Sequence, residues 1–264
     1  MLLVLDVGNT NTVLGLYAAE ESGGEPRYER LVAHWRVGIV RSQTADEYGV
    51  LFRNLFAMKG MEARRVAGII IASVVPPIDS TLREACEKYF GVTPLFIEPG
   101  VKTGMPVHYD NPAEVGADRV VNGVAAFEKF GGPCIVVDFG TATTFDAVSP
   151  KGEYLGGAIA PGIAISAEAL FTRTSKLPRV EIKRPEKVIG RTTVEAIQSG
   201  LFYGYAGLTD RMITQMAAAM KPARPRVIAT GGLAEIIAAE SQLIDAVDAD
   251  LTLRGLQIIW EKNR

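Results

Sequence analysis

The chain has 264 residues, 48% hydrophobic and 22% charged, with a formal net charge of −2 at pH 7. This is the make-up of a folded globular chain long enough for two modest domains, and it excludes a disordered or fibrous protein. So small an acidic balance provides no global attraction to nucleic acid or an anionic membrane, and any ligand must be sought in local sites.

The opening run MLLVL stops at Asp6 without the basic lead or length of a secretion signal. After Gly8-Asn9-Thr10-Asn11, TVLGLYAA resumes an extended pattern, so the two runs predict a hairpin about a tight turn. The charged stretch Ala19–Arg30 reads as a long hairpin loop, and LVAHWRV as a third strand. Thr44–Met58 predicts a helix with Tyr48, Leu51, Leu55 and Phe56 on one face, Thr44 as its cap and Glu47 as the capping-box partner. VAGIIIASVV is a buried strand stopped by Pro76-Pro77. STLREACEKYFG is a helix capped by Ser80 and ended by Gly91, and PLFIE is one more strand.

Residues 99–115, rich in Pro, Gly and Asn, form a long connection, and such loops are usually functional or interdomain. The pattern then begins again with a helix, ADRVVNGVAAFEKFG, followed by the strands CIVVDFG, TTFDAVS and GEYLGGAIAPG. Thr193–Met220 is a long helix, serving as core or as an interface, RVIAT is a buried strand into Gly231-Gly232, and LAEIIAAE is a helix. No run reaches the roughly 18 apolar residues of a membrane span. Cys86 and Cys134 lack metal-ligand spacing and disulfide density, and read as buried hydrophobes in a reducing compartment. A cytoplasmic protein without membrane or nucleic-acid partners is expected.

Leu3 aligns with Ile135, Asp6 with Asp138, Gly8 with Gly140 and Thr12 with Thr144, which points to an internal duplication. Phosphate binds where backbone N–H groups converge and no Cβ obstructs them, a use for Gly8 and Gly140. The hydroxyls of Thr10, Thr12, Thr141 and Thr143 add donors. Asp6 and Asp138 would repel phosphate unless each held a cation, so the pair reads as a nucleotide–metal clamp. Either turn alone is equally a hairpin turn whose Asp bonds its own backbone. Asp118, in the first turn of its helix beside Arg119, is placed to act as a base for a hydroxyl proton, or simply to favour the helix dipole. VIATGGLA brings backbone close to a flat or charged ligand, although double glycines at such junctions are common without one.

Taken in order, DVGNTNTVLG, YDNPAEVGADRVVN, VVDFGTATTFDAV, GGAIAPGI, GRTTVEAIQSGLFYGY and ATGGLA resemble the motif series of type III pantothenate kinase, of the acetate and sugar kinase/Hsp70/actin superfamily. The resemblance runs from Asp6 to about Ala234. It implies an α/β protein of two ribonuclease-H-like domains with duplicated topology, spanning 1–115 and 116–264, with the active site in the cleft between them. It also implies a homodimer that uses ATP to phosphorylate the primary hydroxyl of pantothenate, giving 4'-phosphopantothenate in the first step of coenzyme A synthesis.

Residue by residue, the resemblance assigns ATP to Asp6, Val7, Gly8, Asn9, Thr10, Asn11, Thr12, Val13 and Thr141, with Asp6 near Mg2+, directly or through water. Asp118 becomes the proton acceptor. Pantothenate falls to Tyr109, Gly116, Ala117, Asp118, Arg119 and Thr193. Asp138 takes a monovalent cation, K+ or NH4+, so the single clamp read from the residues separates into two ion sites. The turns alone also fit a sugar kinase or phosphatase, and a regulatory binding protein is the reading from another class. The carboxylates Asp6, Asp118 and Asp138 favour the enzyme. His34 and His108 belong to no motif.

Overall fold

A computed structural model describes residues 1–20 and 27–264. Residues 21–26, within the expected Ala19–Arg30 loop, lie outside the described residues.

β1 (Leu2–Val7), β2 (Asn11–Glu20) and β3 (Arg27–Gly38) form the antiparallel meander expected from their turns. β4 (Gly68–Ser73) and β5 (Leu95–Phe96) add in parallel on the other side of β1, giving the order β3-β2-β1-β4-β5. Parallel neighbours need crossover connections. Helices α1 (Ala45–Met58) and α2 (Asp79–Phe90) provide them. Leu3, Leu5 and Val7 of β1 with Ile69 and Ile71 of β4 form one core with Phe52, Phe56 and Phe90. At about 1.5–3 kcal/mol for each large side chain taken fully out of water, this face dominates the stability of the unit.

Thr44 caps α1 with Glu47 in a reciprocal capping box, as expected. Ser80 does not cap α2. A 3-10 turn at Pro76–Ile78 runs directly into the helix, which starts at Asp79 and has no side-chain cap. Gly91 ends it in the left-handed conformation, φ 68°.

α3 (Ala117–Phe130) leads into the second sheet: β6 (Cys134–Phe139), β7 (Ala142–Val148), β8 (Tyr154–Pro161), then β9 (Arg226–Thr230) and β10 (Ala246–Val247). Its order, β10-β9-β6-β7-β8, repeats the first sheet strand for strand, with the same antiparallel meander and the same two parallel additions. The duplication read from two turns therefore extends to the whole sheet. Ile135, Val137 and Phe139 of β6 pack with Phe145 of β7 against α4 (Ile163–Arg173), α5 (Thr193–Ala219) and α6 (Ala234–Ala238). Ile197, Leu201, Phe202 and Ile213 bury one face of α5 in this core.

Three elements were not expected from sequence: α4, β10 and the final helix α7 (Leu251–Asn263). The last of these alters the domain boundaries. Contacts group residues 1–104, 113–125 and 252–264 into one unit, and 105–112 with 126–251 into another, rather than cutting the chain between 115 and 116. The physical reason is a set of glycines that admit α7. A Cβ at Gly15 would lie 3.0 Å from Leu253 Cδ1, one at Gly68 would overlap the Trp260 ring, and one at Gly255 would overlap the Val121 backbone of α3. Helix α7 is thus held closely against the first sheet at Gly15 and Gly68, and against α3 at Gly255 and through the hydrogen bond from Thr252 Oγ1 to Asn122 Oδ1 at 2.7 Å.

Candidate active site

In the first unit, β1 ends at Val7 and the chain turns through residues 8–11 before Thr12, which pairs with Val7. The Gly8 N–H donates to the Asn11 carbonyl at 3.0 Å, and a Cβ at Gly8 would crowd that oxygen at 3.2 Å. Asp6 is half-buried at the end of the strand, while Asn9 and Thr10 are exposed on the turn. β4 runs beside β1, and the Val74 N–H that follows it donates to the Val7 carbonyl at 3.0 Å. Val74 also reaches the Gly116–Arg119 stretch: its Cγ1 would touch a Cβ at Gly116 at 3.7 Å. The Asp6–Val13 turn and the Gly116–Arg119 stretch, far apart in the chain, therefore share one residue as a neighbour within one unit.

At the start of α3, Gly116 O accepts from Arg119 N at 3.1 Å, and Asp118 Oδ1 accepts from the same N–H at 2.8 Å. Gly116 has a reason to be glycine, since a Cβ there would lie 2.6 Å from Asp118 Oδ1. Arg119 is buried and Ala117 half-buried. Burial pushes the Asp118 carboxyl above the usual carboxylate range, and the Arg119 N–H and guanidinium only partly oppose this. A carboxylate moved toward neutrality is better matched to accepting a proton at physiological pH.

The second unit repeats the turn with one residue fewer, through residues 140–142. Thr143 pairs with Phe139 as Thr12 pairs with Val7, so the counterpart of Thr12 is Thr143 and not Thr144. Both hydroxyls are buried and lack a hydrogen-bond partner. Thr141 is exposed at the tip. Two glycines outside the sequence-derived site set pack against this turn. A Cβ at Gly162 would strike the Thr141 carbonyl oxygen, to which the Gly162 N–H donates at 3.1 Å. Gly231, at φ +93°, lies against Asp138.

Thr144, register partner of Asp138, donates to the buried Asp146 at 3.1 Å, and Tyr154 OH donates to the other oxygen of that carboxylate at 2.7 Å. Asp146 escaped the sequence reading because nothing in TTFDAV distinguishes an inward Asp from an outward one. Tyr109 is 37% exposed, its ring lying over Gly156 of β8. Its connection is tied to β8 by His108 N–H to Tyr154 O and Tyr154 N–H to Pro106 O, both 2.8 Å. Thr193 is the first residue of α5, behind a capping box of Thr192 and Glu195 that the sequence reading missed. Asp6 and Asp118 thus fall in one unit, and Asp138, Thr141, Tyr109 and Thr193 in the other.

The profile of the type III pantothenate kinase family matches residues 2–215. The chain belongs to the type III pantothenate kinase family. It is 65% identical over 265 residues to the type III pantothenate kinase of Koribacter versatilis, covering all of this chain and 96% of that one. The enzyme of that name from Geobacter sulfurreducens is 56% identical over 264 residues, with both chains fully covered.

The fold extends further than the family's sequences. A Campylobacter jejuni protein provisionally described as a Baf family transcriptional activator superposes with TM-score 0.61 at 20% identity, covering 99% of this chain and 98% of its own. The activator of 2-hydroxyisocaproyl-CoA dehydratase from Clostridium difficile, solved with ADPNP bound, superposes with TM-score 0.52 at 12% identity over 99% and 93% of the two chains. These likenesses establish a shared fold and nothing about activity or substrate.

For a kinase of this family the ions are constrained by what the fold offers. Among the described residues no group of three or more His, Cys, Asp or Glu side chains forms a metal cage. Mg2+ in nucleotide sites usually takes its ligands from phosphates, water and one or two carboxylates instead of an all-protein cage. No helix among the described residues is long and apolar enough to cross a membrane.

Proposed function

We propose that this pantothenate kinase binds ATP on the Asp6–Val13 turn and on Thr141, and that Asp118 accepts the proton of the attacking hydroxyl. The observation that carries the reading is the Asp118 carboxylate, half-buried, raised in pKa and held by the Arg119 N–H, in the same unit as the glycine turn that follows Asp6. Phosphoryl transfer asks little covalent chemistry of the protein. It asks for positioned phosphates, an aligned hydroxyl and a base. Asn9, Thr10 and Asn11 provide donors for phosphate oxygens, and Gly8, whose N–H closes the turn on the Asn11 carbonyl, keeps the approach clear of a Cβ. Arg119, a fixed guanidinium fork, suits the carboxylate or amide end of pantothenate, with Gly116, Ala117, Tyr109 and Thr193 as its other contacts. Mg2+, when bound, neutralises phosphate charge.

Asp138 is assigned a monovalent cation, K+ or NH4+. Its carboxylate lies near the end of β6 with the Gly231 backbone against it, where backbone oxygens are the natural further ligands of a monovalent ion. The working form is a homodimer. β8 is an edge strand that exposes Leu155 and Ile159, and α4 exposes Ile165 and Phe171, an apolar set suited to a second copy.

The test is purified protein with Mg-ATP, KCl and pantothenate, the product followed by mass. Phosphopantothenate is expected in potassium or ammonium and little in sodium. No product under any salt would overturn the reading, and equal rates in sodium would overturn the Asp138 assignment. Light scattering at twice the mass of one chain tests the dimer, and a monomer at working concentration would refute it.

A further inference from the structure

β4 ends at Ser73, and the geometry of the Ser73-Val74-Val75 exit is set by hydrogen bonds outside the strand ladder. Ser73 Oγ donates to Asp79 Oδ1 at 2.5 Å and accepts from Val75 N–H at 3.1 Å. Asp79 is the first residue of α2, so the helix start and the strand end are closed on each other by one hydroxyl. Between the two bonded residues sits Val74. Its N–H holds the carbonyl of Val7, the residue just before Gly8, and its side chain packs toward Gly116, two residues before Asp118. No motif of the family resemblance includes Ser73, Val74 or Asp79.

We propose that Ser73 and Asp79 are positioning residues: their hydrogen bond fixes Val74, and Val74 sets the spacing between the phosphate turn and the Asp118 helix start. The proposal rests on the reading of Asp118 as the base. Physically, Val74 is a shared wall. A strand end released from Asp79 would let the Val7 carbonyl and Gly116 move independently, and sub-ångström drift between a base and its target is costly in rate. The role belongs to the hydrogen bond, not to the Asp79 charge. Asn keeps an acceptor at that position, and Thr keeps the hydroxyl at 73.

Four full-length variants test this: S73A and D79A, which break the bond, and S73T and D79N, which preserve it. In the S73A and D79A proteins kcat is expected to fall about tenfold or more, with KM for ATP and for pantothenate within about twofold of wild type. S73T and D79N are expected to recover most of the loss. Unchanged kcat in S73A and D79A, or a D79N as impaired as D79A, would overturn the proposal.

Amide hydrogen exchange supplies a readout independent of turnover. Peptides covering 74–76 and 113–120 should exchange faster in S73A and D79A than in wild type, while peptides in β6 and β9 stay protected. A general loss of protection, or none at 113–120, would refute the positioning role even if activity fell. The two readings fail separately. Undiminished turnover in D118N removes Asp118 as base, whereas wild-type exchange at 113–120 in S73A removes the Val74 link.

Discussion

Gly231 and Asp138 are in direct contact: a Cβ at Gly231 would lie 2.5 Å from Asp138 Oδ1 and 2.7 Å from the Phe139 backbone. The double glycine after β9 thus has a reason in the neighbouring strand. With φ at +93°, residue 231 is also in a region that disfavours any side chain. Gly231→Ala should cost about 1–3 kcal/mol of unfolding free energy, read from urea denaturation. On the proposed reading of Asp138 as the monovalent-cation ligand, it should also weaken potassium activation by displacing that carboxylate. Wild-type stability together with wild-type potassium dependence would contradict this placement.

Asp118 gives a prediction in which stability and activity move apart. Burial raises its folded-state pKa above that of the unfolded chain, about 3.8, so the folded protein binds this proton more tightly. Its contribution to stability is complete below the unfolded pKa and is lost as pH rises through the folded one. At neutral pH the charged carboxylate is therefore a cost, which D118N removes. Turnover in D118N should drop by roughly 10²–10⁴-fold, while its melting temperature at pH 7 is no lower than wild type. The acid limb of the wild-type kcat/KM profile should lie above the ordinary Asp range. A D118N protein that melts well below wild type would show that the carboxylate is a structural tie.

Thr12 and Thr143 occupy equivalent positions and bury hydroxyls without partners. A buried polar group left unbonded costs about 1–3 kcal/mol, and Val has nearly the same shape and a strong strand preference. Thr143→Val should raise stability by about 1 kcal/mol in chemical denaturation, and Thr12→Val by a similar amount. A loss of that size would mean that these hydroxyls are bonded in solution.

Cys86 and Cys134 are both free and buried, and burial pushes each thiol up to about 12. The thiolate is the reactive form. A disulfide reagent at pH 8 should titrate no thiol in the native protein and both in denaturant. Rapid native labelling of either would require an opening of the core that covers it.

The turn chemistry was legible because it is local. The hairpin turns after Asp6 and Asp138, the Thr44–Glu47 box and the Gly91 stop each form within a few residues, so their spacing carries the message. The same holds for the strands whose apolar runs are buried on both faces, such as β1, β4 and β6. The duplication was legible from the two turns, although it was misaligned by one residue at Thr12 because the turns differ in length.

What sequence alone determined was therefore the strand–turn–strand unit, its repetition and the motif series that marks the family. Tertiary structure decided the rest, because it depends on which distant backbones touch. Gly15, Gly68 and Gly255 look like ordinary glycines until α7 packs against the first sheet. Val74 looks like one more strand residue until its N–H is seen on Val7 and its side chain beside Gly116. Close approach between segments far apart in the chain leaves only an absent Cβ or a single hydroxyl as its trace, and no local period records it.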